Sequence, residues 1–324
     1  MKLTLTSPQG EKSECAFTDA RPFGSWIDVD LDDGTLDEAR KGLIDNYGLH
    51  PLAVDSVLEG NQRPRIDSYD TFSHLITIGM DDEGELFELN CFIFADGIVT
   101  VHRNNSSAFD RVRSRLGAHS IAGKTTMPII VAFLIVDAVV DTYFPVLAQM
   151  DEEIDELENQ ILDDPNEEQL ARLFKMKRRI MRIRKSVNPQ RDMISALNSG
   201  VVTIPGMDEV GVTYFRNLFD HFIRISDMVD SYRDLITGAM ETHLAMVNNR
   251  LNVVMKQLAI VSTIFLPLAF LTGFFGQNFT WPINHLYMSQ WQFLGFAIGL
   301  EASAAAIVFM VLRKRGWLKT GPTA

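Results

Sequence analysis

The sequence has little cysteine: two residues, Cys15 and Cys91, in 324. That excludes a disulfide-stapled scaffold and fits a reducing compartment. The first 126 residues lack a Gly-rich phosphate loop, a spaced Cys/His zinc cluster and a nucleophile elbow. Nowhere do a nucleophile, a base and an orienting partner stand together, so an enzyme is not expected. Basic residues are scarce, 30 against 42 acidic ones. Nucleic acid is therefore not an expected partner, because phosphate binding needs a basic face. The opening MKLTLTSPQGEK has no apolar core of signal-peptide length, so the N-terminus is expected in the cytosol.

What is present is unevenly placed. The first 250 residues carry 41 acids and 25 bases, and the last 74 carry one acid, Glu301, and five bases. In that last part, Gln257 to Phe275 runs nineteen residues without a charge. At ~1.5 Å per residue it reaches about 28 Å, close to the ~30 Å of bilayer hydrocarbon. Trp291 to Leu312 is a second such run, interrupted by Glu301 alone. Two adjacent apolar runs closing a charged chain are expected to span a membrane. Trp281, Trp291 and Trp317 lie at the run ends, where indoles prefer the headgroup layer. Arg250 and Lys256 precede the first run and Arg313, Lys314, Arg315 and Lys319 follow the second, while Gly276 to Gln290 has neither Lys nor Arg. The positive-inside rule then puts both termini in the cytoplasm and the short loop outside.

Periodicity divides the rest. Residues 1–126 read as a mixed α/β domain with strands at Trp26–Leu31, Ser73–Gly79, Glu85–Ala95 and Ile98–His102. Its helices are expected near Thr35–Tyr47, Pro51–Glu59 and Ser107–Leu116. Residues 127–200 turn helical: an acid-rich stretch to Glu168, a turn at Asp163–Asn166, then a basic stretch from Arg172 to Arg191. The spacing predicts an antiparallel hairpin whose acidic and basic helices neutralise each other. Residues 201–256 hold a long stalk helix, in which Phe215, Leu218, Phe222, Ile225, Val229, Tyr232 and Ile236 recur at heptad spacing. With the first span, 208–275 would form one helix of roughly 100 Å that must pack on the hairpin or on its own copies.

At the outer end of the first span the chain reads Gly273-Phe274-Phe275-Gly276-Gln277-Asn278-Phe279. This resembles the Gly-Met-Asn signature of the CorA family of divalent-cation transporters, with Gln277 where Met is usual. The stalk, Asn252, the run Thr263 to Leu268, the short loop, and the second span ending in basic residues and Trp317-Leu318 are similar too. The resemblance implies an α+β cytoplasmic domain followed by long helices and two C-terminal transmembrane helices, in a funnel-shaped homopentamer. In that scheme 257–278 is the pore-lining helix with its signature, 279–290 the extracytoplasmic loop, 291–312 the second transmembrane helix and 313–324 a basic cytoplasmic tail.

What the resemblance implies of the residues follows. Gly273, Gly276, Gln277 and Asn278 form the outer mouth, where amide and carbonyl oxygens hold a hydrated ion. Thr263 and Asn252 are polar pore positions, and Met255, Leu258 and Leu266 form apolar constrictions that gate by excluding water. Regulatory metal would sit between neighbouring cytoplasmic domains, on Asp81 and Asp82 of one and on Asn217 with Asp220 of the stalk. Asn217 stands where the family has an acid, so weaker feedback is expected. Glu301 is the least expected residue, either a proton carrier or a structural carboxyl bonded to a neighbouring helix. The expected activity is uptake of Mg²⁺, with Co²⁺, Ni²⁺ or Zn²⁺ as further ions, across the inner membrane. No cofactor is expected; the ion is cargo and regulator, and the partners are further copies and lipid. The rival readings are a zinc transporter, with or without proton coupling, and a membrane-tethered coiled-coil scaffold or sensor.

Overall fold

The computed structural model describes residues 1–19, 22–103, 107–118, 127–276, 285, 289, 291 and 294–317. The chain divides into two compact units, Met1–Met240 and Glu241–Ala324.

The first unit is built on a seven-stranded sheet of order β2-β1-β3-β7-β6-β5-β4. The strands are β1 (Lys2–Thr6), β2 (Lys12–Glu14), β3 (Ser25–Asp30), β4 (Arg65–Ser68), β5 (Phe72–Met80), β6 (Leu86–Phe94) and β7 (Gly97–His102). Every pairing is antiparallel except β3 with β7. Strands β3, β5, β6 and β7 match the four expected from the sequence within a residue or two. The other three are short: β2 and β4 carry little apolar alternation, and β1 alternates over only five residues. The expected helix over Thr35–Tyr47 is broken into a 3₁₀ turn, α1 (Leu36–Lys41) and a π-helical turn Gly42–Asn46. There a Cβ on Gly42 would overlap the Phe17 ring. Helix α2 covers Pro51–Glu59, with Pro51 in its first turn, where the missing N–H costs nothing.

The sheet is buried on both faces. One face packs with α1 and α2 through Val29, Leu43, Val54, Phe92 and Val99. The other packs with α3 (Ser107–Ala118) and α4 (Met127–Asp141) through Trp26, Leu75, Leu89, Phe109, Val112 and Ile135. Helix α4, MPIIVAFLIVDAVVD, is buried through Val140. A helix apolar all round needs protein or lipid on every side, and α4 has protein.

Helices α5 (Tyr143–Asp163) and α6 (Glu167–Asn198) form the hairpin. Its turn follows local chemistry: Asn166 caps α6, its side chain accepting the Gln169 N–H while Gln169 accepts the Asn166 N–H. The mutual neutralisation expected of the two helices is not what holds them. Among the described residues the ion pair that crosses the hairpin is Arg172–Glu153 at 3.2 Å. Arg182 instead pairs with Glu85 and Arg184 with Asp230. Ile154, Leu157 and Ile161 of α5, with Leu173, Met176 and Ile180 of α6, are the buried contact. Apolar burial outweighs exposed ion pairs, which contribute about 0–1 kcal/mol each. Gln190 fixes α6 to the sheet: its side chain meets Thr77, Ile78, Tyr143 and Ser186.

Helix α7 runs unbroken from Glu209 to Phe275. Its heptad residues Phe215, Leu218, Phe222, Ile225, Val229, Tyr232 and Ile236 are all buried in the first unit. In the second unit it continues from Glu241 with Pro267 inside it, and α8 (Gly299–Lys314) follows a π-helical turn at Leu294–Ile298.

Candidate functional site

Of the residues singled out along the first span, those from Asn252 to Gly273 lie on α7 and Gly276 directly follows its last residue. Asn252, Met255, Leu258, Thr263, Leu266, Gly273 and Gly276 are exposed in the single chain. At about 100° per residue they fall within an arc of about 140°. A second stripe is half-covered: Ile260, Ile264, Pro267, Leu268, Leu271 and Phe275. These lie on the opposite side, within about 100° of one another. The helix therefore has one partly packed face, and the suspected pore residues are on the other.

Local chemistry on that open face is polar where a helix is normally closed. Pro267 has no N–H, so it cannot give the Thr263 carbonyl its ordinary helical bond. The Thr263 hydroxyl turns inward and donates to the Ala259 carbonyl at 2.7 Å. Gly276 ends the helix, its N–H bonded to the Thr272 carbonyl at 2.9 Å. A Cβ at Gly276 would meet that same oxygen at 3.2 Å, whereas one at Gly273 would meet open space. Gly276 thus serves its own helix end, and Gly273 leaves a smooth surface for something else to approach. Gln277, Asn278 and most of the loop 279–290 lie outside the described residues.

Helix α8 has a half-covered stripe as well: Gly299, Glu301, Ala304, Ala305 and Val308, with Leu312 buried below them. Glu301 is bonded to α7, its Oε1 standing 2.9 Å from Thr272 Oγ1.

The suspected regulatory residues belong to the first unit. Asp81 and Asp82 share the turn between β5 and β6. Asp81 Oδ1 accepts the N–H groups of Glu83 at 3.1 Å and Glu85 at 2.8 Å. Asp82 Oδ1 accepts the Ser107 hydroxyl at 2.7 Å. Both acids line a surface cavity with Arg111, Thr142 and Gln149. Asn217 and Asp220 are exposed on α7, one turn apart. Each pair stands on its own element.

A cluster that sequence reasoning missed lies next to Asp220. Asp137 and Asp141 of α4 and His221 of α7 offer ligand atoms within 4.8 Å of one another, a set able to hold a metal ion. Asp137 is buried; its Oδ2 accepts from Arg115 at 2.7 Å and its Oδ1 lies 3.1 Å from His221 Nδ1. Burial, then the charge of Asp137, pushes the Asp141 carboxyl above its ordinary range. The signal was visible as two acids four apart in an otherwise uncharged apolar run, but nothing local points to a histidine eighty positions on.

A further buried polar group is structural. Asp28 of β3 accepts from Thr100 at 2.6 Å and Arg113 at 2.9 Å, and its Oδ1 lies 3.1 Å from His102 Nε2. Burial works against its charge, but these partners outweigh it and hold the carboxyl below the usual range.

Known proteins resemble the whole of this arrangement. A family described as "CorA-like Mg2+ transporter protein" matches residues 24–314. The cobalt/magnesium transport protein CorA of Thermotoga maritima is 30% identical over 279 residues, 84% of this chain and 78% of that protein. The zinc transport protein ZntB of Photorhabdus laumondii is 27% identical, over 83% of this chain and 82% of its own. Among solved structures, the CorA magnesium transporter of Methanocaldococcus jannaschii superposes with a TM-score of 0.82 at 21% identity, covering 98% of this chain and 99% of that one. The fold is therefore shared from the sheet to the last helix, and the chain belongs to the CorA-like Mg²⁺ transporter family.

Proposed function

We propose that this protein is a homopentameric divalent-cation channel or transporter of the inner membrane, with both termini cytoplasmic, that brings Mg²⁺ into the cell. The observation that carries the reading is the two-sided first span: a half-covered stripe on one side and, opposite it, Asn252, Met255, Leu258, Thr263, Leu266, Gly273 and Gly276 on an open face. One uncharged helix cannot conduct a divalent ion through lipid, but copies meeting by their open faces enclose a wet path. Gln277 and Asn278 at its outer mouth supply amide oxygens to an ion that loses its water reluctantly. Leu258, Leu266 and Met255 close the path by drying it. The Thr263 carbonyl, with no partner from Pro267, is a further oxygen at mid-path. The membrane potential drives entry, at ~2.3 kcal/mol per charge per 100 mV, hence about twice that for a divalent ion.

The test is the purified protein in liposomes with ion-sensitive dyes, comparing Mg²⁺, Co²⁺, Ni²⁺ and Zn²⁺. Mg²⁺ enters fastest, and Asn278→Ala lowers every flux at least tenfold. A flux carried by Zn²⁺ alone moves the assignment to the reading the ZntB relative represents. Impermeable vesicles leave only a tethered scaffold.

Regulation by internal Mg²⁺ belongs to the same proposal. Asp81, Asp82 and Asp220 are the charged ligands between copies, and Asp137, Asp141 and His221 are a second set inside the first unit. Asn217 brings an oxygen without a charge, so feedback is weak. Protection from protease therefore needs high Mg²⁺ in the wild type and falls to lower Mg²⁺ in Asn217→Asp. Strong protection of the wild type at low Mg²⁺ would contradict this.

A further inference from the structure

The hairpin leaves most of its own charge unmatched. One ion pair, Arg172–Glu153, crosses it among the described residues. On α6, Lys175, Arg178, Arg182 and Lys185 are all exposed. Their spacing of three, four and three puts them within an arc of about 80°, over about 15 Å of helix. Arg182 meets Glu85 at 3.2 Å, with both side chains more than half in solvent. Lys175, Arg178 and Lys185 have no acid within ion-pair range among the described residues. Exposed Phe174 and half-covered Met181 lie along one edge of this stripe.

Helix α5 carries the opposite sign. Glu152, Asp155, Glu156 and Asp163 are exposed, within an arc of about 100° and over about 17 Å of helix. Glu156 accepts the Gln160 amide at 2.8 Å, and none of the four meets a cation among the described residues.

Like charges three and four residues apart destabilise a helix. Each stripe therefore weakens the helix that bears it unless opposite charge arrives from outside the chain. The stripes agree in number, four against four, and closely in length. They cannot close on each other within one chain. Each lies on the side of its helix away from the buried contact, which is Ile154, Leu157 and Ile161 on α5 and Leu173, Met176 and Ile180 on α6. A contact between two different patches of identical chains is heterologous, and it closes into a ring when the rotation permits.

We propose that the basic stripe of α6 docks on the acidic stripe of α5 in the next copy, so that the hairpins make a belt of alternating charge around the assembly. The inference rests on the proposed ring of copies, and it adds the surface by which neighbours recognise each other. A polyphosphate is the competing occupant of α6, but it leaves the acids of α5 unmatched.

The experiment is thiol crosslinking of the full-length protein in detergent, with Cys15 changed to serine and buried Cys91 retained. The Glu156→Cys/Lys175→Cys variant, treated with a short bismaleimide, gives a ladder of linked chains on a denaturing gel. Either single variant stays a monomer, as a head-to-tail contact requires. Raising salt from 0.1 to 1 M shortens the screening length from about 10 Å to about 3 Å and thins the ladder. Adding Arg178→Glu and Lys185→Glu abolishes the ladder, and adding Glu152→Lys and Asp155→Lys to those restores it. A misfolded hairpin could not give that restoration.

No ladder from the double variant overturns the inference. So does a ladder from either single variant, or one that survives reversal of α6, the result expected if α6 serves a polyphosphate. Light scattering on the same sample separates this contact from the ring itself. Several chains per particle without a ladder remove the contact alone, whereas one chain per particle removes both. Crosslinking is read without ion flux, so a ladder from protein that passes no ion counts against the transport reading and not against this one.

Discussion

Among the described residues, two helices are long and apolar enough to cross a membrane: Met127–Asp163, which includes α4, and Glu209–Phe275. Their apolar stretches have closely similar hydropathy, yet 78% of one is buried within the chain and none of the other. The difference lies in what surrounds each. The run in α4 sits between a seven-stranded sheet and further helices, in a domain with the polar partners to close around it. The run in α7 begins after Glu241, the last acid before Glu301, and has one other α-helix in its unit among the described residues. Composition made both candidates. Neighbours decide which one meets lipid.

That comparison can be broken by putting a charge into each helix. Ile135→Asp in α4 places an unpaired carboxylate in a dry core and costs more than about 4 kcal/mol, enough to prevent folding of the first unit. Leu258→Asp, on the open face of α7, leaves the melting of the first unit as in wild type and raises ion flux by keeping a constriction wet. Melting of the two variants in detergent, with dye flux for the second, is the measurement. Equal loss of the first unit's transition in both would remove the distinction.

A smaller effect sharpens the same contrast, through a histidine that the sheet domain buries in a polar network. Burial holds His74 down at about 4, against the opposing bond to Asn90, from an ordinary 6.5. The unfolded chain therefore takes up a proton between pH 6.5 and 4 that the folded chain refuses. Stability falls as pH drops through that window and levels below about 4. His74→Phe flattens this slope of the melting temperature. Asp28 acts lower: its carboxyl is held below 3.8, so its contribution is present above that value and lost on further acidification. A slope unchanged by His74→Phe would contradict the assignment.

Much of this was legible in the chain because the informative patterns are local. The heptad seam from Phe215 to Ile236, the proline that opens α2 and the Asp-Pro-Asn turn before α6 each read directly. Strands β2 and β4 were not legible, since they are three and four residues long, lack alternation and are held by pairing with β1 and β5; β1 does alternate, as Leu3 and Leu5 between Lys2, Thr4 and Thr6, but the run is only five residues long. The hairpin's charge pattern misled for a physical reason: exposed ion pairs are weak, so the bases of α6 turned to whichever acid the apolar packing brought near. The Asp137–Asp141–His221 cluster joins residues some eighty positions apart, and no spacing rule reaches that far. On the span, periodicity alone could not separate an open face from a covered one. That needed the second helix in place.

The central claim is that the uncovered side of α7 lines the ion path, and thiol accessibility tests it most directly. In a background with Cys15 changed to serine and buried Cys91 retained, single cysteines are placed at Leu258, Thr263 and Leu266 and at Ile260, Ile264 and Leu268. A membrane-impermeant thiol reagent is then applied during Mg²⁺ flux. The account predicts block at the first three positions and none at the other three. Block at Ile260, Ile264 and Leu268 with the first three silent would contradict it.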